Sequence, residues 1–400
     1  GKTRTVTSIL ALLVEQAGDR IPRIGLAAPT GKAAARLSES IHHAKAQLGL
    51  DPGIADQIPE DAQTLHRLLG FRPGRANPRH GPEDPLHLDL LVVDEASMVD
   101  LPLMARVLQA LPPQARLILL GDKDQLASVE AGMVLGDICG RGAPLGYSPD
   151  LCRAIGKVAG VDLEPIPGPI PPIADHLVVL RKSWRFRSES GIGALARAVN
   201  DGDGQRALAV LDDAAFPDVT RADPTPETLA GLVVNELVPA HRQVLEALAD
   251  PEAALVALNR MRVLCAVREG PFGVHTLNGR IEQALEQAGL IRRTGEVYAG
   301  RPVMVTSNDH AQRLYNGDLG LILPDADAGG ALRVFFETAE GTRRILPSRL
   351  PPHETVYAMT VHKSQGSEFD RVILVLPRAE SRVLTRELIY TGITRARQSV

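Results

Sequence analysis

The sequence predicts an α/β protein built on mostly parallel, doubly wound sheets, with a small β-rich segment inserted late in the chain. Three observations predict this class. Helical and strand patterns alternate over the first 140 residues, an apolar β-type run at residues 88–94 stops on two adjacent carboxylates, and short β-type runs separated by turn signals fill residues 300–350. Strand–helix alternation is typical of parallel sheets, which bind ligands at the carboxyl ends of their strands.

Composition limits the function classes. The 400 residues exceed what one hydrophobic core usually organises, so we expect two or more domains. No apolar run approaches a membrane span and no signal peptide opens the chain, so we expect a cytoplasmic protein. The three cysteines lie far apart and match no metal spacing, which predicts reduced structural residues. The net charge of −4 gives no global nucleic-acid signature, so any contact with nucleic acid would need a local basic groove. The aromatic content of 3% argues against extensive base stacking and favours contacts to backbone phosphate and sugar.

The predicted elements of the first part follow in chain order. Helical spacing covers residues 2–16, a short strand covers 24–28, and an Ala-rich helix runs from 33 to about 48. Residues 88–94 and 115–120 read as buried strands. Proline and glycine mark residues 71–85 as a surface excursion or hairpin, and residues 140–175 as an irregular insertion between two lobes.

The second part begins with a helical region over residues 192–248. The β-type runs at 302–306, 320–323 and 332–336 are separated by Asn-Gly, Asp and Gly-Gly turn signals, which predicts a small β-barrel-like insert. Strand and helix texture returns at Tyr357, and residues 371–376 are predicted to form another core strand.

The chain opens on residues that bind phosphate in other proteins. Gly1, Lys2 and Thr3 match the end of the phosphate loop G-x-x-x-x-G-K-[ST], whose earlier glycines are absent here. Alone, this tripeptide is more often an ordinary segment, but a helix follows it and Asp94-Glu95 end a buried strand downstream. We expect Lys2 to contact the β- and γ-phosphates of ATP and Thr3 to ligate Mg²⁺.

The carboxylate pair completes this predicted site. A magnesium-bound triphosphate needs one carboxylate for the metal shell and another to orient or deprotonate the attacking water. We assign Asp94 to the metal and Glu95 to the water; the alternative, a solvated acidic loop, fits poorly after a buried strand. Gln125 follows the next strand and is a candidate sensor of the γ-phosphate, although a simple turn built from Gly and Asp explains this segment equally well.

Six blocks resemble the motifs of superfamily-1 DNA helicases. Residues 92–97 and 121–126 resemble motifs II and III, 28–35 motif Ia, 64–70 the segment after it, 360–369 motif V and 390–397 motif VI. Within that superfamily, the segments 126–132, 263–274 and 347–354 resemble the RecD family, the α subunits of RecBCD enzymes (exodeoxyribonuclease V).

The resemblance implies an architecture and an activity. It implies two RecA-like motor lobes, residues 1–178 and residues 179–299 with 353–400, and an SH3-like β insert at 300–352 beside the DNA. It implies ATP- and Mg²⁺-dependent 5′→3′ translocation on single-stranded DNA, with RecB-like and RecC-like partners in a heterotrimer for double-strand break repair and recombination.

Three alternative functions remain. They are a stand-alone helicase, a structural subunit with a vestigial ATPase, and a small-molecule kinase, in which motifs Ia, V and VI would have no role.

The resemblance also assigns residue roles. Arg185 and Arg395 match the arginines of motifs IV and VI that act as arginine fingers on the γ-phosphate; the alternative for Arg185 is a surface arginine beside Trp184. Gly366 and Glu368 would lie beside the nucleotide, Glu368 towards the ribose. The predicted DNA contacts are Thr30, Lys32, Thr64, His66, Thr360, His362 and Ser364.

Further expectations limit these assignments. Thr30 and Thr64 are also plausible helix caps. Because the phosphate loop is cut at Gly1, we expect the 400 residues alone to bind ATP poorly and the amino-terminal partner-binding domain to lie outside them. The acidic residues show no further cluster of metal-ligand spacing, so we expect DNA cleavage to belong to another chain.

Overall fold

The structure is a computed structural model that describes all residues except 1, 19, 73, 76, 127–133, 141–145, 167, 172, 181–189, 310, 339–340 and 380. The chain divides into two compact units. The first unit comprises Gly1–Pro29, Ser40–Lys123 and Ala127–Trp184, and the second comprises Thr30–Glu39, Asp124–Leu126 and Arg185–Val400.

The elements up to residue 178 alternate between helix and strand. They are α1 (Lys2–Ala17), β1 (Ile24–Ala28), α2 (Gly31–Leu48), α3 (Pro52–Gln57), β2 (Ala62–Thr64), α4 (Leu65–Leu68), β3 (Leu90–Val93), α5 (Leu101–Ala110), β4 (Arg116–Leu119), α6 (Val134–Ile138) and α7 (Pro149–Ala159). The four strands form one sheet in the order β2-β1-β3-β4, and every pairing is parallel. The predicted parallel α/β sheet is therefore confirmed for this unit.

The core of the first unit lies between its sheet and α5. All four residues of β3 are buried, as expected for a central parallel strand. Helix α5 starts where Asp100 accepts the N–H of Leu103, and it buries Leu103, Met104 and Val107 in the cluster that includes Leu91 of β3. Burying each such side chain contributes roughly 1.5–3 kcal/mol.

The structure places a helix in one of the two segments that were predicted to be irregular. The expectation of irregular chain over residues 140–175 was wrong for Pro149–Ala159, which form helix α7. Ser148 caps this helix by accepting the N–H of Leu151, and Gly160 ends it in the left-handed conformation. The prediction followed the many Gly and Pro residues of this segment, although Ser148-Pro149 is a sequence signal for the start of a helix. The described residues of 71–85 form turns with a single antiparallel bridge, Gly81 to Asp84.

The second unit holds a second parallel sheet and an antiparallel one. Its remaining elements are α8 (Gly191–Asp201), α9 (Gly204–Asp212), α10 (Pro226–Glu246), α11 (Pro251–Leu258), β5 (Met261–Cys265), α12 (Val274–Gln287), β6 (Pro302–Val305), β7 (Leu319–Asp325), β8 (Ala331–Thr338), β9 (Gly341–Ile345), β10 (His353–Thr355), β11 (Ala358–Thr360), β12 (Phe369–Val375), α13 (Arg386–Ile393) and β13 (Ala396–Ser399). The parallel sheet has the order β11-β5-β12-β13.

Both faces of this parallel sheet are covered. Val263 and Cys265 of β5 belong to the cluster formed with α10 and α12. Leu264, between them, belongs to the cluster formed with α8 and α13. Since successive strand residues point to opposite faces, helices cover both sides of β5 and the sheet is doubly wound.

The inserted five-stranded antiparallel sheet has the order β10-β6-β7-β8-β9. It contains the three predicted β-type runs as β6, β7 and β8. One face packs its own core around Val303, Ile322 and Phe336, while Leu323 and Phe335 pack with α11.

The two ends of the insert meet. Val356 donates its N–H to the carbonyl of Pro302 at 3.0 Å, and Arg301 Nε donates to Thr355 Oγ1 at 2.9 Å. The inserted sheet therefore leaves and rejoins the second unit at one place. Among the described residues, no helix is long and apolar enough to cross a membrane.

Candidate functional site

The acidic pair Asp94-Glu95 lies at the carboxyl edge of the first sheet. The chain leaves β3 at Val93, and Asp94 donates its N–H to the carbonyl of Ala27 on β1 at 2.9 Å. Ala96 donates to the carbonyl of Leu120, just after β4, at 2.8 Å. The pair is thus held by backbone bonds on both sides, at the edge where parallel sheets bind ligands.

Glu95 is held in an uncommon backbone conformation. Its φ is 50°, in the left-handed region that costs a non-glycine residue roughly 1–2 kcal/mol. Its N–H donates to Asp94 Oδ1 at 2.8 Å. Its Oε2 is buried and has no hydrogen-bond partner among the described residues. Because buried carboxylate oxygens are normally bonded, this oxygen is available to a ligand.

The charge of Lys2 acts on Asp94. Burial raises the pKa of Asp94, the adjacent charge of Glu95 raises it further, and the Lys2 ammonium at the start of α1 opposes both. The first turn of α1, which includes Thr3, also has N–H groups that no intrahelical carbonyl accepts, a setting that favours anions. Gly1, the other residue predicted here, lies outside the described residues.

This donor set fits a magnesium–nucleotide. Within the described part of the chain, no group of three or more His, Cys, Asp or Glu residues could hold a metal by itself. Mg²⁺ commonly takes one or two carboxylates and completes its shell with phosphate oxygens and water. Asp94 and the Thr3 hydroxyl suit the metal of such a site, the unpartnered Glu95 Oε2 suits a water beside it, and Lys2 suits the phosphates.

Gly121 brings the segment after β4 close to the acidic turn. A Cβ at this position would lie 2.4 Å from Leu135 Cδ2 and 3.2 Å from the backbone nitrogen of Ser97. Only glycine fits without movement of a neighbour. Gly121 was not predicted as a site residue, although a glycine at the end of a strand is a sequence sign of close backbone approach.

Gln125, the predicted phosphate sensor, is 8% exposed and falls in the second unit. The residue after it is fixed on both sides: Leu126 donates its N–H to Thr391 Oγ1 at 2.8 Å and accepts from Gln365 Nε2 at 2.7 Å. Gln365 and Thr391 were not predicted as site residues. They lie inside the blocks 360–369 and 390–397, in which other residues were predicted to form the site.

The predicted nucleotide residues of the second unit are tied to their own unit. Arg395 is 3% exposed, and its guanidinium donates to the carbonyls of Thr391 and Ser367, both at 3.2 Å. Glu368 accepts from Arg397 Nε at 3.1 Å, and Gly366 takes a left-handed φ of 70°. Arg185, the other predicted arginine finger, lies outside the described residues.

The predicted DNA residues near β1 and β2 have local roles. Thr30 Oγ1 accepts the N–H of Ala33 and Thr64 Oγ1 accepts the N–H of Arg67, both at 3.2 Å. Both threonines are thus helix caps, the alternative recognised in the sequence. The His66 ring lies 5.0 Å from the ring of Phe71. DNA contact by these residues stays a prediction.

Lys32 is bonded within the second unit. Its ammonium donates to Ser367 Oγ at 2.8 Å and to the carbonyl of Gly317 at 3.4 Å. Burial, with a smaller contribution from the charge of Arg36, lowers the pKa of Lys32 to about 8.

The segment after β11 is held by its own hydroxyls. Ser364 is 0% exposed and donates to the carbonyl of Val361 at 2.7 Å, and Thr360 Oγ1 accepts the N–H of Lys363 at 3.3 Å. Burial lowers the pKa of His362, which favours its neutral form. The hydroxyls therefore shape this loop, and their predicted role in DNA contact remains untested.

Comparison with known proteins adds a family to these observations. Residues 1–131 match the family described as AAA domain, and residues 355–400 match the UvrD-like helicase C-terminal domain. The RecBCD enzyme subunit RecD of Haemophilus influenzae is 39% identical over 100% of this chain and 64% of its own length. The corresponding subunit of Buchnera aphidicola subsp. Acyrthosiphon pisum is 30% identical over 100% of this chain and 67% of its own length.

Among solved structures, a Pif1 helicase from Bacteroides in complex with ADP-AlF3 and ssDNA matches 98% of this chain and 84% of its own, with a TM-score of 0.46 and 17% identity. The first unit has a parallel α/β sheet, a lysine at the start of its first helix and paired carboxylates at a strand end. These features are typical of nucleotide-binding α/β proteins.

The chain belongs to the RecD family. It spans 64% of the length of its Haemophilus relative.

Proposed function

We propose that this chain is the motor region of an ATP-dependent DNA helicase, a RecD-type subunit of a helicase-nuclease that acts in double-strand break repair and recombination. The observation that carries the proposal is the acidic turn after β3. Glu95 Oε2 is buried without a described partner beside Asp94, and the Lys2 charge acts on Asp94. A buried carboxylate oxygen without a protein partner can bind a water beside a metal ion, as a triphosphatase site requires.

The residues of the first unit would share the chemical work. Lys2 and the N–H groups at the start of α1 bind the phosphates, and Thr3 and Asp94 hold the metal. Magnesium bound with ATP neutralises charge on the β- and γ-phosphates. Glu95 orients the attacking water and accepts its proton. Gly1 supplies a further backbone N–H to the phosphate loop.

The second unit would supply charge and nucleotide contacts. Arg395 and Arg185 stabilise negative charge on the transferred phosphoryl group, and removing such an arginine costs ~10³–10⁵ in rate. Gly366 and Glu368 lie beside the nucleotide, and Gln125 senses the γ-phosphate through its amide. The fixed backbone on either side of Leu126 supports this role, because it holds Gln125 in place.

Two RecA-like motor lobes would carry the DNA. We assign residues 1–178 to one lobe and residues 179–299 with 353–400 to the other. Residues 300–352, which hold four of the five strands of the antiparallel sheet, are assigned to an SH3-like barrel. Thr30, Lys32, Thr64, His66, Thr360, His362 and Ser364 would contact the backbone of single-stranded DNA. The family resemblance implies 5′→3′ movement and RecB-like and RecC-like partners. The Haemophilus relative, a RecBCD enzyme subunit, supports the assembly.

DNA-stimulated ATP hydrolysis tests the proposal. The full-length protein is assayed with and without single-stranded DNA, beside the variant Lys2→Gln. We expect DNA to stimulate hydrolysis by the wild type and Lys2→Gln to lose it, with unchanged far-UV circular dichroism. Wild-type turnover in Lys2→Gln, or hydrolysis that ignores DNA, would refute the motor assignment. Co-purification with RecB-like and RecC-like chains separates the subunit from a stand-alone helicase.

A further inference from the structure

Strand β11 is short and lies at the edge of its sheet. It pairs with β5 through three residues, Ala358 to Val263, Met359 to Leu264 and Thr360 to Cys265. On its other side the described residues provide no strand. Ala358 is nonetheless buried, and buried backbone N–H and C=O groups need partners. A side chain must therefore provide the hydrogen-bond partners that a neighbouring strand would otherwise provide.

Asn278, in the middle of α12, supplies those partners. Its Oδ1 accepts the N–H of Ala358 at 2.7 Å, and its Nδ2 donates to the carbonyl of Ala358 at 3.0 Å. The same Nδ2 donates to the carbonyl of Thr355 at 3.1 Å. A side-chain amide offers the same donor and acceptor as a peptide group, so Asn278 completes the edge of β11 as an adjacent strand would.

These hydrogen bonds lie at the junction between the two sheets of the second unit. Thr355 is the last residue of β10 in the inserted sheet, and Ala358 is the first residue of β11 in the parallel sheet. Thr360 ends β11, and the turn at His362–Ser364 follows. One amide therefore fixes the joint between the two sheets directly before the segment assigned to DNA contact.

We infer that Asn278 is a positioning residue for DNA binding: its amide sets the backbone of residues 355–358 and thereby places Thr360 and His362. The inference rests on the proposed function, since it assigns these two residues to the DNA. Asn278 itself bonds only backbone groups of residues 355 and 358 among its described contacts. Its effect is thus on how the loop is held.

The chemistry distinguishes two substitutions. Asn278→Asp keeps the size of the side chain but sets carboxylate oxygens against the carbonyls of Thr355 and Ala358, where only a donor fits. Asn278→Ala removes all three bonds and leaves one N–H and two carbonyls to find water. A matched control is Asn235→Ala, the same change on an exposed position of α10.

The test uses the full-length protein with oligo-dT as the probe. Losing buried hydrogen bonds of this kind predicts a rise of about tenfold in the DNA concentration for half-maximal ATPase stimulation, with the KM for ATP within about twofold of wild type. In both Asn278 variants, hydrogen exchange should speed up over residues 355–364 and stay unchanged over α8 and α9. Asn235→Ala should match the wild type in every measurement.

Three results overturn the inference. The first is wild-type DNA dependence in both variants, the second is unchanged exchange over residues 355–364, and the third is a parallel rise in DNA requirement and KM for ATP with faster exchange throughout the second unit. If the wild type itself shows no DNA stimulation, the proposed function fails. Exchange over residues 355–364 then still decides whether Asn278 holds this segment.

Discussion

The carboxylate of Asp94 accepts the backbone N–H of its neighbour Glu95 at 2.8 Å, so the two adjacent acids have different surroundings. Asp94 is bonded to the turn that it begins. Glu95 is held in a left-handed conformation with a buried, unpartnered Oε2. This asymmetry matches the division of labour proposed for them, one acid for a metal and one for a water, and it leads to separate predictions.

Glu95→Gln should abolish turnover while preserving nucleotide binding. The amide keeps the shape of the side chain but cannot accept a proton from water, and loss of a general base typically costs about 10²–10⁴ in rate. Single-turnover ATP hydrolysis and fluorescent-nucleotide binding, measured on the full-length protein, separate the two effects. A variant that hydrolyses ATP at the wild-type rate would remove Glu95 from the reaction.

Asp94→Asn should stabilise the nucleotide-free protein and abolish magnesium-dependent hydrolysis. Burial and the charge of Glu95 raise the pKa of Asp94, so its ionised form destabilises the folded state above that pKa and its protonated form does not. The neutral amide removes this cost at pH 7. Urea unfolding should show a higher midpoint for Asp94→Asn at pH 7 and a smaller gain at low pH. A lower midpoint at pH 7 contradicts the prediction.

Gly121→Ala should destabilise the first unit. The added methyl group would meet Leu135 Cδ2 at 2.4 Å and the Ser97 nitrogen at 3.2 Å, and overpacking of this kind costs typically about 1–3 kcal/mol. The control is Gly81→Ala, because a Cβ there has no atom within 4 Å; surface changes of this type usually stay within about 0.5 kcal/mol. Equal unfolding free energies for the two variants would argue against the close approach.

His241 should make the second unit sensitive to acid. Burial, together with the charge of Arg262, lowers the pKa of His241 to about 4 from the usual 6.5, and the side chain is 4% exposed. The unfolded chain takes up the proton first, so stability is full above pH 6.5 and falls between pH 6.5 and 4, by on the order of 3 kcal/mol. Urea unfolding across this range measures the slope, and His241→Leu should flatten it.

Apolar runs made much of the fold predictable. Strands β1, β3, β4 and β12 were predicted near their observed bounds because each is dominated by aliphatic residues. Strand β2 was not predicted, and β11 was indicated only by the return of strand and helix texture at Tyr357. Each has three residues, too few to show a periodic pattern, and polar Gln63, Thr64 and Thr360 interrupt their apolar character. The run at β5 was hidden by Arg262, whose guanidinium bonds the carbonyls of Val356 and Leu258 in the folded protein.

Some features of the candidate site could also be predicted from the local sequence, and others could not. Lys2, Asp94 and Glu95 are recognisable because their chemistry follows directly from residue type beside a helix start or a strand end. The left-handed turn at Glu95 and the role of Asn278 depend on bonds to residues distant in sequence, such as the 80 positions between Asn278 and Ala358. No local pattern encodes such bonds, since the partner is chosen by the packing of α12 on the sheet.

The joint at Pro302 and Val356 also bears on how such a chain could have been assembled. Because the carbonyl of Pro302 and the N–H of Val356 bond to each other at 3.0 Å, a short turn could connect these two positions of the chain. The five-stranded sheet is nevertheless not independent of its host, because Leu323 and Phe335 pack with α11. Its gain or exchange during descent would therefore have required a matching apolar surface on α11.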